Sequence, residues 1–363
     1  MRMSEQESIT THQAVVIVAN YILGVGILTL PRSAAEQVKT PDIWLSIIIG
    51  GLIAMLAGLI IVKLSQKFPG MTFYDYSQQI VGKWIGCILN LIVIGYFISM
   101  ASVMLRAMAE VNTLFLLEET PRWAMIIAFM WVGIYLVVGG LSAITRMFEI
   151  IFPITVIIFV LIAVMSLKIF DINNLRPVLG LGIAPVLNGV KTTALSFSGF
   201  EIMLLIVASM QNPKTAQKAV LIGIGIPLLF YVTTALMVIG ALTIEGVTSL
   251  TWPTITLIKS FEFPGILFER YESLLLVIWM MQIFTTFVIT HYSAAMGMAR
   301  SMRKDIRPFL YVLMPVIYIV AMLPKNINDL FHFSDSIGKL AFVMFVILPI
   351  VLLGIAKLRG VQT

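Results

Sequence analysis

Two glycine-containing interruptions of apolar runs are the features of this sequence best suited to bind a small molecule. GVG occupies residues 24–26, and SFSG occupies 196–199, at a corresponding place in a later run. A helix broken inside a membrane frees backbone N–H and C=O groups, which are tolerated only beside protein or water. Such breaks suit a zwitterion, because half-helix N-termini attract carboxylates and freed carbonyls accept ammonium groups. The alternative is that small residues only allow close helix packing, but the matched pair favours breaks.

Glu201 is an unusual charged residue, because it lies in the apolar stretch FEIMLLIV directly after the second interruption. A carboxylate at the centre of a bilayer is energetically unfavourable, so it is expected to face a cavity or a bonding partner. We expect either a contact with a cation, a proton or a substrate amine, or a carboxylate that ties its helix to a neighbour. The adjoining interruption favours the first role.

A long apolar run in the first half carries two pairs of residues at i,i+4 spacing. Tyr96 and Met100 share one face near the middle of the predicted span. They are expected either to line a pocket or to pack in the core. Arg106 and Glu110 are predicted to form an ion pair towards the end of the same span, with a structural role.

Hydroxyl groups follow a helical face in the second half. Thr286 and Thr290 lie at i,i+4 spacing, after Gln282, in an otherwise apolar run. They either present their hydroxyls to the interior of the bundle or hydrogen-bond their own helix backbone. Lys191, inside another run, either lines a vestibule or extends its ammonium group towards the membrane surface.

No pattern in the sequence predicts catalysis, a metal site or an organic cofactor. The sequence has no nucleophile elbow, metal-binding histidine pair or phosphate-binding loop, and GVG alone lacks the rest of a dinucleotide fingerprint. A single cysteine, Cys87, excludes an internal disulfide framework and a cysteine-based metal cluster. We therefore expect a protein that is not an enzyme.

Composition places these residues in an integral membrane protein. Of the 363 residues, 60% are hydrophobic and 12% are charged, whereas soluble domains carry roughly 25% charged residues. This is too little charge to cover a water-soluble surface, which excludes soluble enzymes, nucleic-acid binders and disordered scaffolds. The net charge of +6 is explained by positively charged cytoplasmic loops, so no nucleic acid partner is expected.

The apolar runs predict an all-α integral membrane protein with about ten transmembrane helices of about 20 residues each. The two matched interruptions predict an inverted repeat of five plus five helices, with helices 1 and 6 broken. The chain is then one membrane domain, 1–363, with repeats at about 13–168 and 184–357. The predicted spans are 13–35, 42–63, 82–109, 122–140, 146–168, 184–209, 217–242, 270–299, 307–323 and 335–357.

The positions of Lys and Arg orient the chain in the membrane. A basic cluster at 300–307, together with an even number of spans, predicts that both termini are cytoplasmic. The stretch from Glu245 to Glu269 contains Pro and Gly interruptions. It is therefore predicted to form an ordered external or re-entrant loop instead of a span.

Several stretches carry a resemblance to known families. ANYILGVGILTLP (19–31) and SFSGFE (196–201) resemble the amino acid–polyamine–organocation superfamily, which implies a leucine-transporter-like fold of two inverted five-helix repeats. Across nearly the whole chain, further stretches resemble the B subunit of nutrient germinant receptors of endospore-forming bacteria. These are GYFISMASVMLRAMAE (95–110), GIYLVVGGLSAITR (133–146), KIFDINNLRPVLG (168–180), WPT (252–254), ERYESLLLVIW (269–279) and QIFTTFVI (282–289).

This resemblance implies a sensor in the spore inner membrane that binds a small nutrient, an amino acid or in some members a sugar, and triggers germination. It also implies a larger membrane A subunit and a lipoprotein C subunit as partners. The alternative is an ion-coupled secondary amino acid transporter, because one fold serves both outputs. Among the site positions, Met100, Ser198 and Thr290 are expected to govern nutrient choice. The ligand-binding positions that carry over are Gly24, Val25, Gly26, Tyr96, Met100, Phe197, Ser198, Gly199, Glu201, Thr286 and Thr290.

Overall fold

The computed structural model describes residues 8–115, 117, 119–260 and 272–359, without the side chains of Val25 and Glu272. Within these ranges the regular secondary structure is helical. An isolated parallel bridge between Ile9 and Met210 joins the start of the chain to a segment in its second half. The fold is therefore all-α, as the composition and the apolar runs predict.

The helices follow one another with short connections. The stretch Phe200–Ser209 combines α8 with a 3₁₀ turn at each end and is called the α8 segment below. A π-helical stretch, Val343–Ile347, joins α13 to α14. In chain order the α-helices are α1 (Thr11–Val38), α2 (Ile43–Gln66), α3 (Phe73–Val81), α4 (Lys83–Phe115), α5 (Arg122–Val138), α6 (Gly140–Ser166), α7 (Ala184–Leu195), α8 (Met203–Ile206), α9 (Ala216–Ser249), α10 (Pro253–Lys259), α11 (Glu272–Met302), α12 (Arg307–Met322), α13 (Ile327–Phe342) and α14 (Leu348–Leu358).

Six continuous helical stretches among the described residues are long and apolar enough to cross a membrane. The last of them, Ile327–Leu358, consists of α13, the π-helical stretch and α14. Two bent pairs raise that number to as many as eight: α1, and α7 with the α8 segment. The helices α5 and α12 are apolar but shorter. Each predicted span overlaps one of these helices, which confirms a multi-pass membrane protein. The count of ten spans and the division into two repeats stay predictions.

Helix α1 forms the centre of the bundle. It begins at a capping box, in which the Thr10 hydroxyl accepts the N–H of Gln13 at 3.2 Å and the Gln13 side chain accepts the N–H of Thr10 at 2.9 Å. Its side chains are buried almost continuously from Ala14 to Leu23 because α9, α11, α7 and α6 all pack against it. A helix surrounded in this way is apolar on every face.

The connection between α9 and α11 is ordered against the bundle over its described part. Helix α9 breaks at Thr243, where φ is +61°, directly after its predicted end at 242. A further helical stretch then runs to Ser249, and α10 fills part of the loop predicted at 245–269. The hydroxyl of Thr254 donates to the carbonyl of Ile27 on α1 at 3.2 Å, and Trp252 is buried. The predicted loop is therefore an ordered one; its residues 261–269 lie outside the described ranges.

Candidate functional site: a cavity between two bent helices

The two predicted interruptions coincide with the two bends of the structure. Helix α1 turns by 54° between its Thr11–Gly24 and Gly26–Val38 parts, and α7 meets the α8 segment at 43°. At the second bend Gly199 has φ +138°, a backbone conformation that side-chain-bearing residues rarely adopt. A Cβ atom on Gly199 would lie 3.0 Å from the backbone nitrogen of Ile22, so the two bends touch each other.

The glycines of α1 allow two neighbouring helices to approach its bend. A Cβ atom on Gly24 would overlap the hydroxyl of Thr286 on α11, and one on Gly26 would overlap the phenol of Tyr231 on α9. These hydroxyls reach the α1 backbone, since Tyr231 donates to the Ile22 carbonyl at 2.5 Å and Thr286 donates to that of Tyr21 at 3.3 Å. Close packing and bending therefore occur at the same place.

A cavity of about 250 Å³ lies beside the two bends, and we call it the central cavity. Five of the predicted site residues line it: Gly26, Tyr96, Met100, Ser198 and Thr286. They come from α1, α4, the turn between α7 and the α8 segment, and α11. These elements correspond to the first, third, sixth and eighth predicted spans. The tertiary structure thus brings together the elements on which the sequence prediction relied.

Sequence reasoning missed an important group of lining residues. Tyr21 lines the cavity and is 2% exposed, and its buried hydroxyl lies near the Tyr96 hydroxyl and the Glu201 carboxylate without hydrogen-bond geometry to any described residue. Its position three residues before Gly24 was the available indication, because residues at i,i+3 share a helix face. Further missed lining residues include Ser33, Trp252, Trp279, Phe331, Ser334 and Asp335.

Glu201 lies next to the cavity wall without lining the central cavity. Its Oε1 accepts the hydroxyl of Tyr96 at 2.5 Å, and its Oε2 accepts the backbone N–H of Gly199 at 2.6 Å. The side chain is buried, so these two hydrogen bonds offset the loss of hydration. This geometry matches the second expected role, in which the carboxylate ties its helix to neighbouring elements.

The remaining predicted positions lie around the cavity, not on its surface. Gly24 and Gly199 permit the close approaches described above. Phe197 is buried, with its ring centroid 5.2 Å from that of Tyr231. Thr290 donates to the carbonyls of Thr286 and Phe287 on its own helix at 2.7 and 3.0 Å. The side chain of Val25 lies outside the described residues.

Two carboxylate side chains line the cavity. Glu110 lines it and pairs with Arg106 at 2.8 Å, which confirms the predicted ion pair, while Arg122 of α5 approaches the other carboxylate oxygen at 3.2 Å. Asp335 of α13 lines the cavity at a more exposed position. The polar lining of the cavity therefore includes carboxylates as well as hydroxyls.

The described residues contain no group of three or more His, Cys, Asp and Glu side chains arranged to hold a metal ion. His291 is buried and contacts the carbonyl of Leu310 at 2.9 Å, with its ring stacked on Phe287. It therefore serves the packing of α11 against α12. Among the described residues the polar groups of the site are suited to hydrogen bonding and ion pairing.

Two solved structures share this architecture. The nucleobase-cation-symport-1 family transporter Mhp1, solved with bromovinylhydantoin bound, aligns with a TM-score of 0.67 at 15% identity over 93% of this chain and 77% of that one. MhsT in complex with L-phenylalanine aligns with a TM-score of 0.70 at 12% identity over 96% and 88%. Together with the two bends, these likenesses define a membrane protein of the leucine-transporter-like fold.

Within that class, the chain belongs to the spore germination protein family, whose profile matches residues 8–330. It is 52% identical to spore germination protein YndE of Bacillus subtilis over 98% of both chains. It is also 39% identical to spore germination protein A2 of the same organism over 98% of both chains, and 36% identical to spore germination protein B2 over 96% and 95%. The predicted family is confirmed.

Proposed function

We propose that this protein is the nutrient-sensing subunit of a spore germinant receptor, and that it binds a small germinant in the central cavity. The observation that carries this proposal is the buried hydroxyl of Tyr21, a cavity-lining residue, which lies beside Tyr96 and Glu201 but has hydrogen-bond geometry with neither. An unsatisfied buried hydroxyl costs about 1–3 kcal/mol. A ligand that hydrogen-bonds it recovers that free energy.

An amino acid fits the chemistry of the cavity. The hydroxyl of Tyr21 is suited to donate to a carboxylate. The hydroxyls of Ser198 and Thr286 donate to backbone carbonyls, so their oxygens, like the carboxylate of Asp335, are suited to accept from an ammonium group. Trp279 adds an apolar wall for a side chain. The volume of about 250 Å³ is just below the usual range for drug-sized ligands, roughly 300–1,000 Å³, so the occupant is small. A sugar is the second choice, because its hydroxyls are suited to the same groups.

Binding is proposed to act on the bends themselves. A ligand shifts a conformational equilibrium only through different affinities for the two states. The central cavity lies beside both bends, so a change in either angle alters its shape and its affinity. The resulting movement would pass to an A subunit and a C lipoprotein subunit in the spore inner membrane, with both termini of this chain in the cytoplasm.

The alternative is an ion-coupled secondary amino acid transporter, which the fold of Mhp1 and MhsT favours. Purified protein in liposomes separates the two functions. A sensor binds the nutrient without accumulating it, whereas a transporter accumulates it when an ion gradient is imposed. Accumulation driven by the gradient would replace the sensor proposal with the transporter.

The direct test uses spores in which this chain belongs to the only germinant receptor. Single amino acids and sugars are screened for germination, and the protein level is measured by immunoblot. We expect at least one nutrient to act on wild-type spores and none on spores with Gly26→Leu, whose side chain would overlap the phenol of Tyr231 and displace the bend of α1 at the cavity wall. An equal response of the variant, at equal protein level, would place the nutrient elsewhere.

A further inference from the structure

A second cavity, of about 350 Å³, adjoins the central one. Leu195, Ser198 and Ala341 line both cavities and form the wall between them. The second cavity lies between α2, α7, the α8 segment and the junction of α13 with α14, and we call it the lateral cavity. The site proposed for the nutrient does not use it.

The lateral cavity opens on the face of the bundle that is turned towards lipid. Three of its apolar lining residues are substantially exposed, namely Ile53 at 37%, Leu187 at 55% and Phe342 at 45%. They lie on predicted spans, so their exposed surfaces contact hydrocarbon and not water. An occupant that enters from this side is therefore apolar, and its shape is that of an acyl chain.

Lys191 adds a positive charge to this apolar wall. It lines the lateral cavity, is exposed, and has no ion-pair or hydrogen-bond partner among the described residues. An unpaired ammonium group within a membrane-spanning segment is unfavourable, and it is stabilised either by extending to the membrane surface or by pairing with an anionic group. Basic pockets between transmembrane helices bind anionic lipid headgroups in this way.

Glu201 does not neutralise this charge. It lines the lateral cavity, but its two carboxylate oxygens accept hydrogen bonds from Tyr96 and from the backbone of Gly199. No salt bridge joins it to Lys191 in the described part of the chain. The ammonium group is thus available to an anion from outside the protein.

The opposite wall of the lateral cavity is irregular. Phe345 and Val346 line it from the π-helical stretch Val343–Ile347, and π-helical insertions are rare and occur frequently at functional sites. The ring of Phe345 contacts that of Tyr96, with centroids 4.7 Å apart. An occupant of the lateral cavity therefore touches a residue that packs against the wall of the central cavity.

We propose that the lateral cavity binds one acyl chain of an anionic phospholipid from the surrounding bilayer, with the lipid phosphate at Lys191. The apolar walls bind the chain through the hydrophobic effect, and the ammonium group selects the headgroup. The site is independent of the proposed nutrient function, because lipid binding is measured without any germinant.

Native mass spectrometry of the purified full chain tests this proposal, with phosphatidylglycerol and phosphatidylcholine as competing probes. Wild-type protein is expected to retain one phosphatidylglycerol molecule in preference to phosphatidylcholine. Lys191→Gln is expected to weaken that retention about tenfold, which corresponds to about 1.4 kcal/mol, while Lys191→Arg preserves it. The matched control is Lys339→Gln, because Lys339 is also exposed within a predicted span but lines neither cavity.

Equal retention of the two lipids, or an equal loss in the Lys339 control, would overturn the proposal. A second experiment uses wild-type protein alone and does not depend on the folding of any variant. A phosphatidylglycerol that carries a photoreactive group in its acyl chain is expected to label peptides around Ala57 and Phe345. Labelling spread evenly around the bundle would show that no specific site exists.

Discussion

The hydroxyl of Tyr96 donates a 2.5 Å hydrogen bond to the carboxylate of Glu201, a residue 105 positions later in the chain. The bond joins α4 to the segment that follows the second bend. Since the same carboxylate accepts the N–H of Gly199, one buried group holds the bend and the cavity wall in fixed relation. Tyr96 lines the central cavity, so its orientation affects any ligand there.

Removal of this hydroxyl should weaken both the fold and the nutrient response. Tyr96→Phe leaves a buried carboxylate oxygen without its donor, which is expected to lower the free energy of unfolding by about 1–3 kcal/mol. Thermal unfolding of the purified protein and germination dose–response curves measure the two effects. Tyr135→Phe is the control, since Tyr135 is 87% exposed and should change neither. Unchanged stability in Tyr96→Phe would mean that the bond does not hold the bend.

Two tyrosines separate ligand binding from stability. Tyr21→Phe removes a hydroxyl that has no described partner, so stability should be unchanged or slightly higher, while the half-maximal nutrient concentration should rise about tenfold. Tyr231→Phe removes the donor to the Ile22 carbonyl, so it should lower stability by about 1–3 kcal/mol. A Tyr21→Phe variant with a wild-type dose–response curve would exclude this hydroxyl from the site.

The bend of α1 depends on Gly26. Gly26→Ala places a methyl group against the phenol of Tyr231, and such overpacking costs typically about 1–3 kcal/mol. Gly95→Ala is the matched control, because nothing lies within 4 Å of its Cβ position. Alanine in a helix interior should raise stability there by roughly 0.5–1 kcal/mol. Differential scanning fluorimetry measures both changes, and a neutral Gly26→Ala would show that α9 does not press on the bend.

The hydroxyls at the cavity wall differ in what they can offer a ligand. Thr286→Val and Ser198→Ala remove cavity-lining hydroxyls and should shift the half-maximal nutrient concentration at unchanged protein level. Thr290→Val removes a hydroxyl that bonds its own helix away from the cavity surface, so the geometry predicts a smaller shift. A larger shift at Thr290 than at Thr286 would return Thr290 to the site, as the sequence prediction has it.

The helices and the two bends could be predicted because their causes are local. About 20 consecutive apolar residues are required to cross a bilayer, and the runs of that length match the observed helices. GVG at 24–26 and SFSG at 196–199 mark both bends, since glycine permits close approach and a φ of +138°. The ion pair between Arg106 and Glu110 follows from i,i+4 spacing in the same helix.

The cavity could be predicted only in part, because its walls come from helices far apart in the chain. Spacing places Tyr96 and Met100 on one face, but it does not show that Tyr21 and Trp279 complete the same surface. Thr286 and Thr290 share a face, yet only Thr286 lines the cavity.

By itself, the sequence determined that this is a helical membrane protein with two interrupted spans. The reason is that both properties are local: a run of apolar residues makes a helix stable in lipid, and a glycine within the run gives the backbone the freedom to bend. Only the tertiary structure decided what the scarce polar groups do. Glu201 is held by Tyr96 and by the bend, and Tyr21 lines the cavity with its hydroxyl buried beside Tyr96 and Glu201. Burial and hydrogen bonding between distant segments arise when helices pack together, which no local pattern encodes.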